Sequence, residues 1–127
     1  AKETQGLENE APAHAFNDPD MILAGSDHSA GADNSGFNYE HGLEFRLALA
    51  EARIQYAVWA IVAAPLLLSA DVRKLRGEEG QAYRDLILNE IMIGVNQDPN
   101  GIRGGCRAGC ESDLQLWARQ LTDGSTA

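Results

Sequence analysis

The longest apolar stretch, residues 56–68 (YAVWAIVAAPLLL), restricts what this chain can become. It is too short to cross a bilayer, which takes about 20 apolar residues, and Pro65 interrupts it. It therefore belongs to a protein core. Proline lacks an N–H and clashes with the preceding turn, so Pro65 ends any helix arriving from upstream. Ahead of it, Leu47, Ile54, Val58 and Ile61 recur at helical spacing, with Asn38 placed to cap and Glu40 in the first turn. One long amphipathic helix is predicted, apolar all round near its end. Beyond Pro65, residues 66–68 (LLL) suit a parallel strand buried on both faces, and residues 69–73 (SADVR) form the polar segment leaving it.

The same alternation continues downstream. Tyr83, Leu86 and Ile87 mark the apolar face of a second helix, with Asn89 as terminator. Residues 91–95 (IMIGV) then read as a second buried extended run before the turn-forming NQDPNG. Helix, strand, helix, strand is an α/β order. After Gly101 the texture changes: residues 101–109 are glycine-rich and read as a linker or loop. Residues 113–121 (DLQLWARQL) place Leu114, Leu116 and Ala118 at a period of two, as in a half-exposed strand. TDG at 122–124 is a hairpin-type turn, and the partner strand is expected beyond the last residue. The polar stretch 25–36 (GSDHSAGADNSG) reads as a long loop insertion, and no internal repeat is visible.

Composition sets the class of partner. The chain has 127 residues, enough for one core, and carries a formal charge of −9. That charge argues against nucleic acid and anionic membranes, which call for clustered Lys and Arg, and favours a neutral or cationic ligand. Residues 1–13 are polar and acidic with no initiator Met, as expected of a piece of something longer. Cys106 and Cys110 are the only cysteines; a short disulfide loop ranks slightly ahead of free thiols. His14, His28 and His41 have no ligand-like spacing and read as solvent-facing.

The stretch 16–21 (FNDPDM) carries the chemistry. Pro19 stiffens a corner between Asp18 and Asp20. In extended backbone, residues two apart point the same way, an arrangement a two-carboxylate glycosidase could use. A solvated turn is the commoner use of Asn, Asp and Pro. A third reading, a metal-binding loop of Asp18, Asp20, Asp27 and His28, lacks the regular spacing of a calcium loop.

In order, FNDPDM, YAVWAIVAAPLLLSADVR, NQDPNG and LWARQLTDG resemble the C-terminal part of glycoside hydrolase family 27, the α-galactosidase and α-N-acetylgalactosaminidase family. The resemblance implies an α/β fold: about the last two β/α units of a TIM (β/α)8 barrel in residues 1–104. Residues 105–127 would be a linker and the truncated start of a C-terminal β-sandwich domain. The implied activity is retaining hydrolysis of terminal α-linked galactose by two aspartates on earlier strands, so no catalytic residue is assigned within this chain. Asp20 would accept hydrogen bonds from galactose hydroxyls and Met21 would touch the ring, while Asn17, Asp18 and Pro19 shape the corner. Asp71, with Arg73, reads as structural support near the pocket rim, Trp59 as core, and Trp117 as packing between the two domains. The resemblance implies no metal or organic cofactor, allows a homodimer in the parent enzyme, and suggests a secreted, vacuolar or lysosomal setting. The alternative function is a catalytically inactive galactose-binding or relic module.

Overall fold

The computed structural model describes residues 18–26 and 47–127. Asn17, Asp27, Asn38, Glu40 and the histidines lie outside the described residues. The described residues form two compact units, one from residues 18–20, 57–66 and 90–127, the other from residues 21–26, 47–56 and 67–89. Helix α1 (Leu49–Ile61) runs through both. Glu51, at the third helical position, accepts a hydrogen bond from the Ala48 amide (2.9 Å), half of a capping box with its acid near the positive helix end.

The buried stripe of α1 is Ala52, Tyr56, Trp59 and Ala60, at helical spacing. This corrects the expected face, since Ile54 is 66% exposed. Alanines let the backbone come close to what covers it, and an apolar tally weighted by side-chain size passes over them.

In the unit containing residues 67–89, residues beside Ile22 and Leu68 pair in parallel: the Ile22 amide donates to Leu67 O (2.7 Å) and the Ser69 amide to Ile22 O (2.9 Å). The parallel direction matches expectation, but the pairing is an isolated bridge and not a strand, and burial on both faces fails because Leu67 is 51% exposed. A 3₁₀ turn (Lys74–Arg76) follows, then α2 (Gln81–Ile87). Buried Tyr83 donates its hydroxyl to Leu47 O (2.7 Å), and the Tyr56 hydroxyl donates to Ile87 O (2.9 Å) at the far end of α2.

In the other unit, residues 90–96 correct a second expectation. They form helix α3 (Glu90–Asn96), not a strand, none of it buried, with Ile91 78% exposed. A short apolar run has no period that separates strand from helix; here Asn89 followed by Glu90 in the first turn tips the balance. Strand β1 (Gly105–Ala108) lies in what read as a linker, and it pairs antiparallel with β2 (Leu116–Ala118), Cys106 opposite Trp117, with an irregularity between Cys106 and Ala108. Gly109 (φ +68) turns the chain beyond β1, where a Cβ would sit 2.1 Å from Leu114 O. Cys106 and Cys110 are joined by a disulfide. The TDG turn forms a hairpin, but its return strand lies inside the chain: Arg119 and Ala127 exchange both backbone hydrogen bonds (2.9 Å each).

The alternation expected over residues 113–121 is not kept: β2 covers only Leu116–Ala118, and residues 113–116 are all exposed. Leu114 and Leu116 point to solvent, and Arg119, 1% exposed, points inward. Its guanidinium donates to Ile102 O (2.7 Å), Asn96 O (2.9 Å), Asp98 O (3.4 Å), Ala60 O (3.5 Å) and Val95 O. These include carbonyls from the C-terminal ends of α1 and α3, which have no partner within their own helix and carry the negative end of its dipole. Burial pulls the Arg119 pKa below its ordinary value while the Asp98 charge opposes this. Gly104 gives the room, since a Cβ there would stand 2.5 Å from Ala118 O and 2.7 Å from Arg119 Cβ.

Helix α1 ends before Pro65, not at it. The Ala64 amide reaches back to Trp59 O (3.0 Å) and Ala63 to Ala60 O (3.3 Å), the paired bonds of a Schellman motif, with Ala63 at φ 52 where glycine is usual. The Asn96 side-chain amide donates to Trp59 O (3.2 Å) and Ala64 O (2.8 Å) and ties α3 to that turn.

Arg119→Met is expected to destabilise the chain by about 3 kcal/mol in urea unfolding, because several buried carbonyls lose their donor. Ala63→Gly is expected to stabilise it by about 1 kcal/mol in the same assay by relieving the left-handed backbone.

Candidate functional site

Residues 18–23 form a corner built from backbone outward. The Asp20 amide donates to Asp18 Oδ1 (2.9 Å), so Asp18 folds onto its own loop as an Asx turn. Asp20 has φ 76. Positive φ is where glycine or asparagine is usual, and here an aspartate holds it. Asp18 and Asp20 are therefore not a side-by-side carboxylate pair on an extended strand. One carboxylate is spent on the turn. The other sits on strained backbone, exposed to solvent.

Two side chains of α1 hold the carbonyls that follow. The Trp59 indole N–H donates to Asp20 O (3.1 Å). Gln55, one helical turn earlier, donates from Nε2 to Met21 O (3.3 Å), and its Oε1 accepts the Leu23 amide (2.9 Å). Neither role is visible in the sequence, where Trp59 reads as core. The one available signal was an amide side chain, Gln55, inside an increasingly apolar helix. Met21 is 49% exposed, and Ile22 behind it is buried in the parallel pairing with Leu68.

Asp71 and Arg73 follow that pairing in the chain. Arg73 donates from Nε (2.9 Å) and Nη2 (2.7 Å) to the two Asp71 oxygens, and its amide donates to Asp71 Oδ1 (3.0 Å). This is a bidentate clip closed on itself. Hydrogen bonds from the Arg73 side chain and amide hold the Asp71 carboxyl down at about 2.

Asn96 and Asp98 anchor the other end of their unit. Asp98 accepts from the Thr122 hydroxyl (2.7 Å), the Thr122 amide (3.1 Å) and the Asn100 amide (3.1 Å). Burial works against its charge, but these bonds outweigh it and the carboxyl lies below the ordinary range. An open cavity of about 560 Å³ lies beside this anchor, lined by Ala63, Pro65, Asn96, Asp98 and Arg119 among others. Asn96, Asp98 and Arg119 in its lining are already engaged in the anchor. Trp117 donates its indole N–H to Gln115 Oε1 (3.0 Å) within the β1–β2 hairpin. Among the described residues no three His, Cys, Asp or Glu are grouped to hold a metal, and no helix is long and apolar enough to cross a membrane.

Comparison with known proteins gives a consistent answer. The family model described as alpha galactosidase A matches residues 1–98. The α-N-acetylgalactosaminidase of Mus musculus is 34% identical over 116 residues, 91% of this chain and 22% of that protein. α-Galactosidase 3 of Arabidopsis thaliana is 34% identical over 109 residues, 84% of this chain and 20% of that protein. A solved structure from Bacteroides fragilis, assigned as an α-galactosidase/melibiase, superposes with a TM-score of 0.63 at 29% identity, covering 88% of this chain and 22% of that one. The chain thus spans about a fifth of the length of these relatives.

The clip predicts a pH signature. The Asp71 pKa is depressed in the fold, so its contribution is fully present above the ordinary carboxylate range and is lost as pH falls through about 2. Carboxyl NMR titration should find Asp71 at about 2, and Arg73→Met should return it towards its ordinary value. An ordinary titration in the unsubstituted chain would show that the clip does not hold in solution.

Proposed function

The chain belongs to the alpha galactosidase A family, glycoside hydrolase family 27, and we propose that it supplies the sugar-gripping wall of a retaining α-galactosidase-type enzyme. In this reading residues 1–104 are about the last two β/α units of a (β/α)8 barrel. Residues 105–127 begin an antiparallel β domain. The parallel pairing of Ile22 with Leu68 and the likeness to solved α-galactosidases support the first part. The antiparallel hairpins after Gly104 support the second.

The observation that carries the functional reading is the Asp20 corner: an exposed carboxylate on a fixed, left-handed backbone. In such barrels substrates meet the C-terminal ends of the strands. There the Asp20 carboxylate accepts hydrogen bonds from hydroxyls of a terminal α-linked galactose, and the Met21 thioether lies against the sugar ring. Asp18 and Pro19 set the corner's shape, and the Asp71–Arg73 clip stiffens the segment after residues 66–68. Cleavage needs a nucleophile and an acid/base about 5 Å apart on one glycosidic bond. Asp18 cannot serve beside Asp20, being committed to the turn, so the catalytic aspartates belong to other strands of the parent enzyme. The Cys106–Cys110 disulfide fits a secreted, vacuolar or lysosomal setting.

In the full-length parent enzyme, Asp20→Asn is expected to lower kcat/KM for a chromogenic α-galactoside by roughly a hundredfold, the loss of charge-assisted hydrogen bonds. The isolated 127-residue chain should neither hydrolyse that substrate nor bind galactose measurably. Turnover by the isolated chain, abolished by Asp20→Asn, would move the catalytic pair into this corner and overturn the assignment.

A further inference from the structure

We propose that Trp59 is a positioning residue for sugar binding: its indole N–H fixes the Asp20 backbone, and Gln55 does the same for Met21, so both sugar-facing side chains leave the chain in set directions. The inference rests on the reading of Asp20 and Met21 as sugar contacts.

An aspartate at φ 76 occupies a conformation that L residues avoid, and it persists only where its surroundings over-determine it. On the N-terminal side, Pro19 and the Asp18 side chain set the approach. Rotation of the peptide after Asp20 would swing the Asp20 carbonyl, and the Trp59 N–H bonded to it at 3.1 Å holds that carbonyl in place. The donor is well suited to this. Trp59 is buried, sits where α1 closes in its Schellman turn, and its own carbonyl is held by both Ala64 and Asn96. An indole N–H only donates and must be satisfied when buried, so the ring cannot turn away without cost.

Gln55 acts on the next residues through two atoms. Its Nε2 holds Met21 O while its Oε1 receives the Leu23 amide, so one side-chain amide brackets Ile22. The bracket sets the residue before the parallel pairing, and with it the direction of the Met21 side chain. Neither residue touches sugar in this reading. Both act through the backbone of residues that do.

The test uses the full-length parent enzyme, with Trp59→Phe and Gln55→Met measured for KM and kcat on p-nitrophenyl α-galactoside, galactose affinity and thermal melting. A crystal structure of Trp59→Phe completes it. Phenylalanine keeps an aromatic ring and removes the donor. The expected result is a folded enzyme whose KM rises roughly tenfold, with galactose affinity falling in the same proportion, kcat changing less, and Asp20 leaving its left-handed conformation. A folded Trp59→Phe enzyme with unchanged KM and galactose affinity, where Asp20→Asn weakens both, would overturn the proposal and leave Trp59 as core alone. If Asp20→Asn changes neither, the sugar-contact reading has failed. The crystal structure then decides the positioning role by itself: an unmoved Asp20 overturns it and a relaxed one upholds it. Should Trp59→Phe fail to fold, Gln55→Met decides, a raised KM supporting the proposal and an unchanged one overturning it.

Discussion

One guanidinium holds together the ends of two helices and a loop. Arg119 reaches Ala60 O at the end of α1, Val95 O and Asn96 O at the end of α3, and Ile102 O in the segment leading to β1. Helix ends concentrate carbonyls that have no partner within their own helix. A charged planar donor answers several at once, at the expense of burying its own charge, which the depressed pKa reflects. Asp98 supplies the compensating negative charge nearby and is itself fixed by Thr122 and Asn100. Arg119 leads directly into the final hairpin, so the last strands are tied to the helix termini through one side chain.

The anchor bears on the corner through α1. Asn96, whose carbonyl Arg119 holds, donates from its side chain to Trp59 O, and Trp59 in turn donates to Asp20 O. A chain of hydrogen bonds runs from a buried arginine to the residue assigned to the sugar. Each link joins a side chain to a backbone group, which makes the arrangement stiffer than an equal number of bonds between flexible side chains.

How far the sequence foretold this varied with the kind of signal. Helix α2 was legible because Tyr83, Leu86 and Ile87 keep a helical period over enough residues. Beyond Pro65 the parallel direction of the pairing was legible, but an isolated bridge between Ile22 and Leu68 stands where a strand was expected. Residues 91–95 were misread because five apolar letters lack a period, and the deciding signals, Asn89 and Glu90, lay just upstream. Strand β1 hid behind its glycines, needed there for close approach and not for slack. In residues 113–121 the expected apolar face was wrong, because Leu114 and Leu116 are exposed and a buried arginine defies the rule that apolar residues mark the core. The corner gave up its residues but not its geometry. Nothing in NDPDM distinguishes two parallel carboxylates from one carboxylate bent back onto the backbone amide two residues on, and the hydrogen bonds that hold the carbonyls of Asp20 and Met21 come from α1, more than thirty residues away.

The left-handed backbone at Asp20 narrows the evolutionary options at that position. Among side chains that tolerate such a conformation, glycine and asparagine are uncharged, and aspartate alone brings an anion. Glutamate keeps the charge but lacks the short reach that eases the strain. Any lineage, or any engineer, seeking a different anionic group at that spot must first rebuild the turn, so altered specificity is reached more readily through neighbouring loops than through this one site.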